Sequence, residues 1–588
     1  MKKEIITTLI KEKLILKKNK FFVNLPNNIC KKEDNNFFYY NKHWKSSSKL
    51  LKDFDYLENI FEKNLRIISK KLNTYHRKKY PISYWRLIIG KWMFRFICLV
   101  YERYDSIIDI DKNYKNLKFK KLRYNLNNFI PYGIEDYNYI AGTHGWNEYI
   151  YSEIINQCKI KSIEVVPSKR LLGVSDSKEI YKRLSTQRQT IKGKIYSIII
   201  KLLSNFNKDI KYLVFDTYLN FIDVLKLNFK INNKLFLFTS LKFDATLLDR
   251  LKKKKLSKIR KFSSQIKINN FKNFISEFIL INLPKAYLEG YDIIENSLKT
   301  KNLPLSPKVI FTSKGINRST LMDRYIASKL LLNTKLIVAQ HGGNYGQHKG
   351  HWGSKHEMKI SNKFLSWESK KTKFKIPFGL IKNIKKINYN KKNKLILLEI
   401  RNRILYSNEI KIDHGGINSV IYLNKINKLL SRIKSRDLLK NFMIKSREAN
   451  FGWEEKKIFL ESNKNIQFIN PKLKMTDLLK KSKLIIYSFP STGHLECMSA
   501  NIPMLLFYFN DLELLKKETK LYFKEFIKLG ILHTDPDKLY KKLIEIYDDP
   551  SEWWYSKKIQ KSVNNYAKRF CKRNDNLIKN LSNIIMDK

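Results

Sequence analysis

Two series of short apolar runs, each alternating with helical stretches, constrain this chain more than any other feature. In the first series, Lys211-Tyr212-Leu213-Val214-Phe215, Lys308-Val309-Ile310-Phe311-Thr312-Ser313 and Leu336-Ile337-Val338 read as buried strands, with a helix over about 319–332 between the last two. In the second, the strands are Leu395 to Glu399, Phe442 to Lys445, Ile466 to Ile469, Leu484 to Tyr487 and Met504 to Phe507, with helical runs at Ile421 to Ile433 and Met475 to Lys481. Strand, helix, strand at this spacing is a βαβ unit. The pattern predicts an α/β chain with two Rossmann-like domains, 1–387 and 388–588, joined in the lysine- and asparagine-rich stretch at 381–393. A helical region at about 49–104, preceded by a strand at Phe21 to Leu25, belongs to the first domain. A helical tail from Pro550 to Ile585 belongs to the second, and its Trp553-Trp554 pair should dock on something apolar.

Length agrees, since 588 residues exceed what one compact core holds. The formal charge of +63, from 116 Lys+Arg against 53 Asp+Glu, raises the question of nucleic acid or an anionic membrane. The lysines are spread along the chain among abundant asparagine and isoleucine, and the only compact basic run is Lys252 to Lys255. No RNA-binding signature, zinc finger or helix-turn-helix spacing accompanies them, so nucleic acid is not the expected partner. The five cysteines, Cys30, Cys98, Cys158, Cys497 and Cys571, are far apart and odd in number, which fits a reducing cytoplasm. The stretch from Trp85 to Tyr101 is the nearest thing to a membrane span. Lys91, Arg95 and Glu102 line one side of it at helical spacing, so a buried or interfacial helix is expected rather than a spanning one.

Chemistry is expected at two loops. Gln340-His341-Gly342-Gly343-Asn344-Tyr345-Gly346 follows the strand at 336–338. Ligands bind outside the carboxyl ends of parallel strands, glycines admit close backbone approach, and histidine moves protons near neutral pH. His341, with Gln340, is the catalytic candidate, and Gly342 and Gly343 are candidates for binding the donor. The second loop, Tyr487-Ser488-Phe489-Pro490-Ser491-Thr492-Gly493-His494-Leu495-Glu496, leads from a strand into a helix through Ala500. Backbone N–H groups and hydroxyls at a helix N-terminus suit a diphosphate, which nominates Ser488, Ser491, Thr492, Gly493 and His494. Glu496, one turn in, is placed to accept ribose hydroxyls. The competing account is an ordinary capped helix with Ser491 or Thr492 as its cap. Arg447, just past the strand at 442–445, is a weaker candidate for clamping phosphate. His341, His348, His351 and His356 crowd one stretch, but without an HExxH pattern or a cysteine partner they are read as loop and catalytic residues rather than a metal site.

At these residues the chain resembles the LIC12162-type family of transferases for bacterial O-antigen and surface-carbohydrate biosynthesis. The matching segments are Tyr84-Trp85-Arg86-Leu87-Ile88-Ile89-Gly90, Trp146-Asn147, Pro284-Lys285-Ala286-Tyr287-Leu288-Glu289-Gly290, Gln340 to Gly346, His356-Glu357 and Ser491 to Glu496. More distantly it looks like GT-B glycosyltransferases and the glycerophosphotransferases of wall polymers. The resemblance implies two domains facing each other across a cleft, the first on the acceptor side and the second holding a nucleotide-activated donor, with no metal and no further cofactor. Where the family pattern has an Asp and then Trp-Gly, this chain has Asn362 and Trp367-Glu368.

The expected function is transfer of a sugar or sugar-like residue from a nucleotide-linked donor to a surface glycan or lipid-linked glycan. The expected setting is the cytoplasm, with the cytoplasmic face of the inner membrane as a place of attachment. The alternatives are a nucleotide-sugar epimerase or glycerophosphotransferase on the same architecture. A non-catalytic basic protein binding nucleic acid or anionic membrane is the alternative from another class.

Overall fold

The computed structural model describes residues 3–8, 20–23, 37–40, 44, 46–165, 210–238, 241–262, 270–382, 384, 387–400, 417–447 and 453–587. Its strands form three sheets, parallel throughout. The first sheet holds β1 (Lys3–Ile6), β2 (Lys20–Val23), β3 (Phe37–Tyr40), β4 (Leu117–Leu122) and β5 (Ser162–Val165). The second holds β6 (Tyr212–Phe215), β7 (Leu235–Phe238), β8 (Val309–Thr312), β9 (Lys335–Ala339), β10 (Lys363–Ser366) and β11 (Lys375–Pro377). The third holds β12 (Leu395–Glu399), β13 (Phe442–Lys445), β14 (Gln467–Phe468), β15 (Ser482–Tyr487), β16 (Met504–Phe507) and β17 (Leu532–His533). Their orders are β3-β2-β1-β4-β5, β11-β10-β9-β8-β6-β7 and β14-β13-β12-β15-β16-β17.

The second and third sheets are the two Rossmann-like units expected from the apolar alternation, and β8, β9, β12, β15 and β16 are buried along nearly their whole length. Each order reverses direction once, between β6 and β8 in one sheet and between β12 and β15 in the other. Such switch points open a crevice outside the strands' carboxyl ends. The crevices therefore begin at Asp216 and Ser313 in the first unit and at Ile400 and Ser488 in the second.

The first sheet was not expected. Only β2 is read as a strand from the sequence: β1 and β4 mix lysines with apolar residues, and the aromatic run of β3 is just four residues long. This sheet shares one continuous core with the helices Ser47–His76 and Ile82–Asn113 and with the inner face of the second sheet. Helix Ile82–Asn113 is buried round most of its circumference, as a helix apolar on all sides must be. Its predicted polar side does not face water: Glu102 pairs with Arg103 at 2.8 Å inside the core and Arg95 bonds Asn138. The helix is thus a core element, not an interfacial one, and no helix among the described residues is long and apolar enough to cross a membrane.

Trp554 docks as expected, fully buried, with its indole N–H donated to Asn501 Oδ1 at 3.0 Å. The last helix, Leu577–Met586, crosses back to the first unit. Leu577, Leu581 and Ile585 join Val214, Leu227, Phe311 and Ile337 in one apolar cluster.

The segment Pro284 to Gly290 is structural. Glu289 accepts from Arg260 Nε and Nη2 at 2.6 and 2.7 Å and from Ser257 N at 2.8 Å, with both side chains almost wholly buried. Burial alone would raise the carboxyl's pKa, but Arg260 and the backbone donors outweigh it and hold the group below its usual range. Removing one partner of such a pair strands the other charge, so Glu289→Ala should lose about 3–5 kcal/mol, read by urea denaturation. A loss of under about 1 kcal/mol, the size of an exposed pair, would contradict this account.

Candidate functional site

The run after β9 enters the first crevice under tight control. Gln340 is buried, donates from Nε2 to Gly342 O at 2.8 Å, and accepts at Oε1 from Trp367 N at 3.0 Å and Ser366 Oγ at 3.2 Å. It ties the turn to the end of β10 and thereby sets where His341 stands. The His341 ring is 23% exposed. Its Nδ1 lies 3.0 Å from Tyr345 Oη, which lies 3.0 and 2.8 Å from the two oxygens of Glu357. Its backbone carbonyl accepts from Tyr218 Oη at 3.1 Å, so the loop after β6 also braces it. Burial first, then the charges of Lys91, Arg318 and His351, push the ring down to about 3, so it is neutral at pH 7. Burial pushes Glu357 up to about 7, against the opposing pull of Lys91, Tyr345 and Arg318.

The floor of this site comes from the segment Tyr84 to Gly90. A Cβ on Gly90 would lie 2.7 Å from His356 Cε1, so glycine there lets helix Trp352–Ile360, which carries Glu357, sit against helix Ile82–Asn113. The next residue, Lys91, contributes its charge to His341, His356 and Glu357. His356 stacks on Trp352 at 4.5 Å and bonds Asn317 Oδ1 at 2.9 Å. His351 caps the same helix, accepting from Ser354 N at 3.1 Å, and His348 forms a bridge to Leu515. His341 and His351 flank the same Tyr345 ring, at 5.4 and 4.5 Å, while His348 and His356 have other partners.

In the second unit, Ser488 is fully buried. Its only proton goes to Glu399 O at 2.6 Å, so Tyr422 Oη, also 2.6 Å away, is the donor to it. It fastens β15 to β12 at the switch point. Ser491 caps helix Thr492–Ala500, and His494 completes a capping box by accepting from Ser491 N at 2.8 Å. That bond leaves the proton on His494 Nε2, which donates to Tyr566 Oη at 3.2 Å. Tyr566 passes its own proton to Gln347 Oε1 at 2.9 Å, and Gln347 Nε2 donates to Gly343 O at 2.9 Å. This directed chain of bonds runs from the second loop to the first. His494, pushed down to about 3 mainly by burial, is its neutral link.

The two loops touch directly. Gly343 N donates to Thr492 Oγ1 at 3.1 Å, and a Cβ on Gly343 would lie 2.4 Å from Ser491 O and 2.7 Å from Thr492 N. Gly493 is needed for a different contact, since its Cβ would meet Tyr487 Cε1 at 2.5 Å. Farther out, Lys516 N donates to Gln347 O at 2.8 Å and Lys349 N to Leu514 O at 3.0 Å, so the histidine loop is stitched to the second unit along its length. Glu496 accepts from Lys382 Nζ at 2.9 Å on both oxygens. Arg447 is exposed beyond β13, and Lys445 donates to the carbonyls of Pro471 and Leu473 at 3.1 and 3.0 Å.

Of the nominated residues, His341, Gly342, Thr492 and Gly493 keep partial exposure, whereas Gly343, Ser491 and Glu496 are buried. Gln340, Ser488 and His494 are enclosed as well and hold the two loops in shape. Sequence reasoning missed Tyr345, Glu357 and Tyr218 around the histidine. It also missed Lys314, half-buried over the Tyr218 ring at 5.2 Å, and Arg318 beside it. The available signals were a tyrosine inside the glycine run and a Lys-Gly-x-x-Arg loop at the end of a switch-point strand. Asn362, standing where the family pattern has an acid, is structural: its side chain accepts from Leu336 N at 2.7 Å. Glu368 lies against Gly346, whose φ of +72° and missing Cβ make room for it, and pairs with Lys375 and Arg569 at 3.1 and 3.3 Å.

Solved structures similar to this chain include Acinetobacter baumannii MurG, at 10% identity over 64% of this chain and 100% of that one, with a TM-score of 0.32. A Rickettsia africae glycosyltransferase is similar at 14% identity over 65% and 100%, with a TM-score of 0.31. Arabidopsis thaliana UGT89C1 is similar at 12% over 65% and 99%, with a TM-score of 0.34. No curated protein sequence matches. The signature of the LIC12162 family transferases spans residues 3–585, and the chain belongs to that family.

Proposed function

We propose that the protein transfers a sugar or sugar-like residue from a nucleotide-activated donor to a hydroxyl of a bacterial surface glycan or its lipid-linked precursor, at the junction of the two Rossmann-like units. The observation that carries this reading is the meeting of a strand-end histidine from one unit with a capped helix N-terminus from the other, through Gly343 N and Thr492 Oγ1 at 3.1 Å. A base beside an anion-binding end is what displacement of a phosphate-linked leaving group requires. His341 takes the acceptor's proton. Gly342, Gly343, Ser491, Thr492 and Gly493 face the diphosphate, Glu496 takes the ribose, and Arg447 assists. Gln340, Ser488 and His494 keep these groups in place.

A thermal-shift screen against CMP, UDP, GDP, CDP and their sugar conjugates tests it, because a ligand of the folded state raises apparent stability by mass action. One nucleotide series should shift the transition. No shift from any, together with tight and steeply salt-dependent binding to DNA or anionic vesicles, would favour a non-catalytic basic protein. Conversion of the donor with no acceptor present would favour an epimerase.

Glu496→Ala should weaken binding of that nucleotide by about tenfold or more, the worth of a hydrogen bond to a charged group. Lys382 is left behind, but at 33% exposure it rehydrates, so the fold is kept. Unchanged affinity by calorimetry would remove Glu496 from the site.

A further inference from the structure

We infer that Glu357, acting through Tyr345, is the proton sink behind His341 and fixes which ring nitrogen faces the acceptor; this rests on His341 being the base. Tyr345 Oη lies 3.0 Å from His341 Nδ1, nearer than the 3.4 Å to Nε2, and 2.8 Å from Glu357 Oε2, while the carboxylate itself stands 3.6 Å from the ring. Tyr345 and Glu357 are 5% and 7% exposed, which seals this file of groups from bulk water.

A phenol has one proton to give, so the file has two states. With Glu357 ionised, Tyr345 donates to it and accepts from His341 Nδ1–H, leaving the Nε2 lone pair for the acceptor. With Glu357 protonated, the carboxylic acid donates to Tyr345, and Tyr345 donates to Nδ1. The ring proton then sits on Nε2, and no lone pair is left there for catalysis.

The transfer balances in the first state. The acceptor O–H proton passes to Nε2, the Nδ1 proton to Tyr345 Oη, and the tyrosine's proton to Glu357. The acceptor oxygen's electron pair forms the bond to the sugar's anomeric carbon. The bond from that carbon to the nucleotide's phosphate oxygen breaks, and its pair leaves on the phosphate. The ring ends neutral, which suits its surroundings. Lys91, Arg318 and His351 with burial hold it near 3, whereas burial raises Glu357 to about 7 against Lys91, Tyr345 and Arg318. A proton resting on Glu357 is therefore favoured over one resting on the imidazole.

The test compares Glu357→Gln, Tyr345→Phe and His341→Ala, assaying nucleotide release from UDP-, GDP-, CDP- and CMP-sugars. In the wild type kcat should fall as pH drops through about 7, because Glu357 must be ionised. Glu357→Gln should lose on the order of 10²-fold in kcat with KM for donor unchanged, and lose that acid limb. An enzyme whose Glu357→Gln and Tyr345→Phe forms keep wild-type kcat and acid limb while His341→Ala is dead would overturn the relay and leave the base reading standing. An active His341→Ala would remove the base reading instead. Nitrogen-15 NMR of labelled histidine in the full chain reads the coupling without substrate. His341 should change from the Nε2–H to the Nδ1–H tautomer as pH rises through that midpoint, and only in the wild type. A tautomer indifferent to pH would overturn the relay whatever the assays show.

Discussion

His341→Ala is expected to abolish turnover, a loss of about 10²–10⁴-fold or more for a positioned base, while the protein stays folded. The two effects separate because of what the ring does and does not hold. Its side chain bonds Tyr345 at 3.0 Å and the backbone of Ser313 and stands toward Glu357, all within the first crevice. The bond that braces the loop, Tyr218 Oη to His341 O at 3.1 Å, uses the backbone and survives the change. The turn itself is set by Gln340, which is untouched. Circular dichroism and the melting temperature should therefore match the wild type. Near-normal transfer by this variant would sink the assignment, and collapse of the fold would show that the histidine's role is structural.

Gly343→Ala should be nearly as damaging, although it deletes nothing. The new Cβ would lie 2.4 Å from Ser491 O, 2.5 Å from Ser491 C and 2.7 Å from Thr492 N. All three are backbone atoms, so no side chain can swing away, and the loops must separate. Separation breaks the Gly343 N to Thr492 Oγ1 bond at 3.1 Å and strains the Gln347 Nε2 to Gly343 O bond at 2.9 Å. A misplacement of about 1 Å between reacting groups costs roughly 10²-fold in rate. Gly353→Ala is the control, since its Cβ would meet nothing nearer than His351 Cε1 at 3.6 Å and should leave the rate unchanged. Limited proteolysis across 342–349 and 488–495, with kcat, checks the pair. Equal activity in both variants would mean that the loop contact does not position the chemistry.

Much of the scaffold is legible in the sequence because short, wholly apolar runs such as Leu484 to Tyr487, bounded by turn residues, suit strands buried inside a sheet. Both candidate loops also carry local signals: glycines after a strand at 342 and 343, and a cap at Ser491. The first sheet escaped because its strands are only four to six residues long and three of them, β1, β2 and β4, carry lysines, so little periodicity marks them. Helix Ile82–Asn113 takes the buried one of the two placements expected for it, with its charges met inside the protein. Sequence spacing cannot tell a polar stripe facing water from one meeting partners such as Asn138 and Asn147 in the interior. The tail was read as helical and the docking of Trp554 was foreseen, but its return to the first unit depends on packing against Phe221–Lys230, far away in sequence.

By itself, the sequence determined the α/β class, the two strand series, and the strand-end and helix-start loops that are the candidates for binding ligands. Those are consequences of local periodicity and of glycine and capping chemistry, which act over a few residues. Only the tertiary structure decided that Ser488, Gln340 and His494 are fasteners, and that Tyr345 and Glu357 stand behind His341. It also decided that Lys91, from a helix some 250 residues earlier in the chain, lends its charge beneath them. The reason is physical: a hydroxyl's role depends on where its one proton goes, and a carboxyl's proton affinity depends on burial and neighbouring charge. Both are set by groups that meet only when the chain is folded.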